Sequence, residues 1–291
     1  MNPMSAIGVL VSLSLFAIGM TSSLADLTYL WRRPWLLVKS LFAMYVLVPA
    51  FALGMVTALE LPPGTGAAVV ILAVCAGAPL LPRKLMKVDA DPDLIVSLVV
   101  TTSLLSVVTV PLSLRWLDRY LPFEALGDPS QIARLIVLSF LAPFLAGMIV
   151  RALAPRFANR VDDPMIRVAG LGLLACTLLV VMMRRTLVLD LGWDSFFAFV
   201  ALVGFSITAG HRLGGPTSLG RTSLALACAS RHVGLALLIA ANARGPRALS
   251  LVAGYVLASA AVSMLYLAAR RYRSRPFARQ PAAQAGRPRC R

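Results

Sequence analysis

A chain of 291 residues that is 59% hydrophobic, with a mean hydropathy of +0.82, holds more apolar surface than a water-soluble domain of this size can bury. Its formal charge of +16 does not point to nucleic acid: Lys and Arg gather in short loops and at the C-terminus, as the cytoplasmic side of a membrane protein requires. Apolar runs of roughly 18 residues or more recur without the two-residue alternation of a transmembrane barrel, so the chain reads as an all-α polytopic membrane protein.

In chain order, Met4 to Ser23 is the first span; it has no basic n-region and leads into a second span rather than a cleavage site. Asp26 to Pro34 (DLTYLWRRP) is a short loop with aromatic and arginine anchors, and Trp35 to Ala58 is the second span, with Tyr45 and Pro49 inside it. After the turn Glu60 to Gly66, a third span begins at Ala67 and breaks at Ala78-Pro79-Leu80-Leu81-Pro82, because proline removes a donor and clashes with the preceding turn. Arg83 to Val88 is its expected second half, and Asp89 to Asp93 a polar hinge. Leu94 to Trp116 is the fourth span, carrying Ser97, Thr101, Thr102, Ser103 and Ser106. Ile132 to Val150 is the fifth, followed by the basic loop Arg151 to Arg160; Met165 to Met183 is the sixth. Phe196 to Gly210 is the seventh, followed by the loop His211 to Gly220 (HRLGGPTSLG).

Leu224 to Ala240 (LALACASRHVGLALLIA) is the eighth span and the one the chain is organised around. Ser230, Arg231, His232 and Gly234 interrupt it, so two apolar halves together cross a hydrocarbon core of about 30 Å with an arginine near the middle. A charge there faces a cavity or a partner rather than lipid, and unwound backbone at that depth is the device with which secondary transporters build a midplane site. Ala248 to Ala269 is the ninth span, and Arg271 to Arg291 a basic tail with no fold of its own, attracted to anionic lipid. The reading divides the chain into a transmembrane domain, 1–270, and that tail, 271–291. The loop charges favour an N-terminus outside and a C-terminus in the cytoplasm, in the inner membrane. One interrupted span in each half of the chain points to an inverted repeat with its site between the halves. Cys75, Cys176, Cys228 and Cys290 show no metal or redox spacing and read as packing residues.

Three stretches then resemble the bile acid:sodium symporter family. Gly19 to Pro49 (GMTSSLADLTYLWRRPWLLVKSLFAMYVLVP) is similar to the family's opening, Asp93 to Thr101 (DLIVSLVVT) to its fifth span, and Leu224 to Ala240 to its second crossing helix, which reads ASRHPGLAL in the bacterial branch. Bacterial members with ten spans carry one extra at the start, which fits nine here. The resemblance implies a carrier with core and panel domains, two broken helices crossing at the midplane, organic anions bound at the crossing and sodium held by nearby oxygens. It also exposes departures. The family's Ser–Asn pair after the first break corresponds to Arg83 and Lys84, its ion-binding glutamate to Ala227, and two glutamines to Arg231 and Met44. Ser97 and Thr101 alone keep oxygen ligands for a metal ion. Sodium is a hard cation that wants oxygens and no competing fixed charge, so these departures argue against sodium coupling, and no other cofactor is expected.

Candidate substrate-binding residues are therefore Arg231, His232, Ser230, Pro79, Arg83 and Lys84. Arg231 is either a fixed cation, replacing sodium or meeting an anion, or a structural group satisfying carbonyls of the broken helices. His232 either titrates and couples transport to protons or hydrogen-bonds between helices. Arg83, Lys84 and Lys87 either line the cytoplasmic end of an anion path or form an ordinary positive-inside loop. Ser97, Thr101 and Thr102 either line a site or glue helices. The 12 acidic residues fall in loops or at span ends, which leaves no carboxylate relay through the core. The resulting expectation is a secondary transporter of small organic anions, partnered by substrate and membrane lipid and not by nucleic acid. The alternatives are a cation-independent uniporter or exchanger of another solute, and a membrane scaffold or sensor on the same fold. An enzyme is not expected, since no HExxH, paired carboxylates or Ser/His/Asp arrangement is visible.

Overall fold

The computed structural model describes residues 3–22, 29–76, 91–117, 134, 137–183, 192–231, 236 and 246–274. The regular elements among them are all helical. In order they are α1 (Pro3–Thr21), α2 (Pro34–Ala58), α3 (Pro63–Val74) and α4 (Pro92–Leu117). There follow α5 (Ala142–Leu153), entered through a π turn at Val137–Leu141, then α6 (Pro155–Met183), α7 (Gly192–Leu213), α8 (Ser218–Ala229) and α9 (Pro246–Ser274).

Six of these helices begin on a proline. Proline at the first helical position has its φ pre-set and surrenders an N–H that would have had no intrahelical partner. The consequence is several boundaries earlier than the apolar pattern indicates. α3 starts at Pro63, not Ala67. α6 starts at Pro155, so Arg156, Arg160, Asp162 and Asp163 lie on a helix rather than in a loop. α8 starts at Ser218 rather than Leu224: the Thr217 hydroxyl accepts from the Gly220 N–H at 3.1 Å and caps it. Gly215, at φ +86, makes the tight reversal between α7 and α8 that a side chain would strain.

Two helices stop inside the protein. α3 ends at Val74, where Cys75 turns to φ −72, ψ 66 and the Ala76 N–H bonds the Val74 carbonyl at 2.7 Å. α8 ends at Ala229, where Ser230 is extended at φ −84, ψ 95. Each is 12 residues long, about 18 Å, or little more than half a hydrocarbon core. The α3 stop comes ahead of the Ala78-Pro79 position that the prolines indicated. The second halves expected at 83–88 and 235–241 lie outside the described residues, apart from Ala236, which is helical and buried.

α1 packs chiefly on α5 and α6, while α7 packs on α8, α9 and α2, α3 on α2 and α9, and α8 on α4. The α1–α5 contact is made by two glycines, Gly19 and Gly147, where a Cβ on either would run into the other helix's backbone, at Phe144 or Phe16 respectively. Large apolar side chains cover the outside: Val38, Phe42 and Val46 on α2, Leu145 and Ile149 on α5, and Met264 and Leu265 on α9 are all exposed. Water would penalise such a surface and lipid would not. Trp31 and Trp35 at the start of α2, and Trp193 at the start of α7, sit exposed where interfacial aromatics belong. α2 (25 residues) and α7 (22 residues) are each long and apolar enough to cross a bilayer.

Candidate functional site

The site is a junction of backbone ends. In α2 the hydrogen bonding slips into a π turn over Ala43–Leu47, where the Val48 N–H bonds the Ala43 carbonyl. The Met44 carbonyl would next look to Val48, already committed, or to residue 49, which is proline and has no N–H. It is left without a helical donor. The Ala73 carbonyl, in the last turn of α3, is orphaned by the helix simply ending. Arg231 answers both: its Nη1 donates to Ala73 O at 3.1 Å and to Met44 O at 3.3 Å. The α8 end is closed from another direction, since the Tyr255 hydroxyl donates to Ala229 O at 2.9 Å and Ser259 to the same oxygen at 3.4 Å.

Two helix C-termini therefore meet in the interior, each the negative end of a dipole. A guanidinium is the cation between them, 2% exposed. Its Nε and Nη2 have no partner among the described residues. A buried, always-charged group with two uncommitted nitrogens is an anion receptor in chemical terms, since a guanidinium presents its donors as a planar fork matched to a carboxylate or sulfonate.

Around this junction the packing is apolar. Met44, Ala76, Leu94, Leu98, Leu224, Ala227 and Cys228 form one buried cluster. The Ala227 methyl thus sits in a hydrocarbon environment, where a carboxylate would meet no polar partner within the cluster. The α4 hydroxyls flank it. Ser97 accepts the Leu30 N–H at 3.1 Å, joining α4 to the chain ahead of α2. Thr101 is buried with its hydroxyl unpartnered among the described residues. Thr102 returns its hydroxyl to Leu98 O at 2.7 Å. Asp91 caps α4 through Leu94 N, accepts the Tyr29 hydroxyl at 2.9 Å, and meets Ser223 of α8 through its own N–H at 2.8 Å. Asp91, through its carboxylate and its own N–H, ties three segments together at the rim of the site.

Next to the junction lies an apolar cavity of about 510 Å³ between α2, α3 and α4, lined by Tyr45, Pro49, Val70, Ala73, Leu112 and Trp116 among others. Ala73 belongs to both: its carbonyl faces Arg231, and the residue forms part of the cavity wall. Val46, Leu112 and Trp116 are exposed, so the cavity opens toward the lipid side.

Of the residues singled out in the sequence, Arg231, Ser230, Ser97 and Thr101 are placed, with Arg231 at the junction and Ser230 as the residue that ends α8. His232, Pro79, Arg83 and Lys84 lie outside the described residues. The sequence reading missed the acceptors. Pro49 was a partial signal: an interior proline frees the carbonyl four residues earlier, that of Tyr45, and only the π register of the preceding turn moves the vacancy to Met44.

The Sodium Bile acid symporter family matches residues 8–191 of the chain, well over half of it, a stretch that ends before α7, α8 and Arg231. The chain is similar to the "Uncharacterized sodium-dependent transporter YocS" of Bacillus subtilis (strain 168), 26% identical over 191 residues, which cover 65% of this chain and 58% of that protein. It is also similar to the "Sodium-dependent organic anion transporter" of Rattus norvegicus, 26% identical over 208 residues, or 71% and 54%. A third relative is the "Probable sodium/metabolite cotransporter BASS6, chloroplastic" of Arabidopsis thaliana, 28% identical over 155 residues, or 50% and 36%. The chain spans less than two thirds of the length of each.

Proposed function

Because this chain belongs to the Sodium Bile acid symporter family, a family of multi-pass membrane transporters and not of enzymes, we propose that it is a secondary carrier of small organic anions in which the Arg231 guanidinium stands where a coupling cation would. The observation that carries the reading is the bonding of Arg231. One nitrogen satisfies two orphaned carbonyls and two nitrogens remain unpartnered in the interior among the described residues. The structural and functional roles of this arginine are then two edges of one side chain. The inner edge locks the helix ends, and the outer edge meets the carboxylate or sulfonate of the substrate. The adjoining apolar cavity suits the hydrocarbon body of such an anion.

Sodium does not fit the residues of the junction. Ala227 offers a methyl where the resemblance implies a carboxylate, and a fixed positive charge occupies the meeting point of the helix ends. Thr101 of α4 has a buried hydroxyl without a partner among the described residues, free to take a polar group of the substrate. Ser230 shapes the break, and His232, Pro79, Arg83 and Lys84 are proposed to complete the path. In this reading α1, α5 and α6 make the panel, the other helices make the core, and residues 271–291 are a basic tail whose first four residues prolong α9. The chain lies in the inner membrane with its N-terminus outside and its C-terminus in the cytoplasm, the orientation that the loop charges favour.

The test uses purified protein and a set of small carboxylates and sulfonates, each beside its neutral amide or alcohol analogue. Anions are expected to raise the melting temperature of the wild type and not of Arg231→Ala, with the neutral analogues inert on both. Equal stabilisation of folded Arg231→Ala protein would refute the site.

A further inference from the structure

We propose that a second anion site lies at the C-terminal ends of α7 and α9, and that it seats the phosphate of an anionic phospholipid. A groove of about 320 Å³ separates these ends, with Thr208, His211 and Arg212 on one wall and Tyr266 and Arg270 on the other. Its walls change character along their length: Ile207 and Ala269 lie on the apolar side, and the basic residues follow where both apolar stretches finish. That is the level of lipid headgroups in a spanning helix pair.

Positive residues at a span end are ordinary on a cytoplasmic face. Two features separate this group from scattered surface charge. First, the side chains are held. The His211 Nδ1 is bonded to the Tyr266 hydroxyl at 2.8 Å, with the rings crossed edge to face, and the ring's Nε2 is left without a partner among the described residues. Arg270 reaches the Ser218 carbonyl at 3.4 Å, and Arg221 the Gly215 carbonyl at 2.9 Å. Second, the charges converge. Arg212 and Arg270 stand on facing walls of the groove, and Arg212 is exposed with no partner among the described residues; burial, with Arg270 and Arg221 nearby, holds the His211 imidazole below its ordinary pKa, so the arginines carry the charge. The groove thus presents two guanidinium groups, a neutral imidazole and a phenol over an apolar floor, which suits a phosphodiester with acyl chains below it better than a fully solvated ion. The arginine-dense tail follows directly from Arg271. It would add to the attraction without supplying the groove.

The experiment takes the full-length protein in detergent, stripped of lipid, and follows its melting temperature on adding mixed micelles of phosphatidylglycerol, mixed micelles of phosphatidylcholine, or soluble glycerol phosphate. Phosphatidylglycerol is expected to raise the melting temperature by several degrees and the other two to leave it unchanged. The shift is expected to disappear in Arg212→Gln/Arg270→Gln. Thr208→Phe fills the groove and keeps every charge, so its loss of the shift distinguishes a seat from a diffuse field and does not depend on the double variant folding. An equal response to phosphatidylcholine or to glycerol phosphate would overturn the proposal. So would a phosphatidylglycerol shift that survives Thr208→Phe, which would move the lipid to the tail.

Discussion

Arg231 divides its work between its nitrogens, and substitution can separate the parts. Alanine removes the donor from Ala73 O and Met44 O together, and each buried carbonyl left unmet costs about 1–3 kcal/mol. Lysine keeps a charge that can meet the same two oxygens but has no second donor edge. Arg231→Ala is therefore expected to lose both melting temperature and anion affinity, and Arg231→Lys to keep most of the first while losing most of the second; thermal melts and titrations on the same preparations would show it. Tyr255 and Ser259 form a simpler case, because two hydroxyls serve one oxygen, Ala229 O. Tyr255→Phe is expected to cost about 1 kcal/mol, with Ser259→Ala costing less. The double variant is expected to cost more than the sum, since only there does the buried carbonyl go unmet. A strictly additive double-mutant cycle would mean the two donors do not share the load.

At the scale of the element, the slipped turn in α2 positions the site. Pro49→Ala restores an N–H, lets the helix reclaim the freed carbonyl, and draws Met44 O away from Arg231. Anion affinity is expected to fall about fivefold, equivalent to about 1 kcal/mol, with the melting temperature unchanged or raised. An unchanged affinity would separate the π turn from recognition. The α1–α5 contact predicts the opposite pattern. Gly147→Ala forces the helices apart at the Phe16 backbone and is expected to lower the melting temperature by the equivalent of about 1–3 kcal/mol while leaving the anion affinity of the folded protein alone. The break in the eighth span was legible in the sequence, because Ser230, Arg231, His232 and Gly234 interrupt an apolar run within five residues. The α3 stop was legible as an event and misplaced by a few residues, because the visible prolines draw attention while the helix end is set by Cys75 and Ala76 turning back. The starts of α3, α6 and α8 were read late. Proline at a first helical position and Thr217 as a cap are local signals, and apolar periodicity does not contain them. The partners of Arg231 were not legible at all. They are backbone atoms 158 and 187 residues away, and no side-chain pattern announces them.

Over the whole molecule, the two interior helix ends require a positive charge between them, and in this chain that charge is covalently attached. A carrier whose cation is built in has no thermodynamic link between the sodium gradient and its substrate, since an ion that does not bind cannot drive the cycle. The measurement that tests this most directly is uptake of an anion that stabilises the wild type, into proteoliposomes, under an inward sodium gradient and under choline at equal ionic strength. Equal initial rates in the two conditions are expected. A rate that rises steeply with external sodium and collapses in choline would contradict the account.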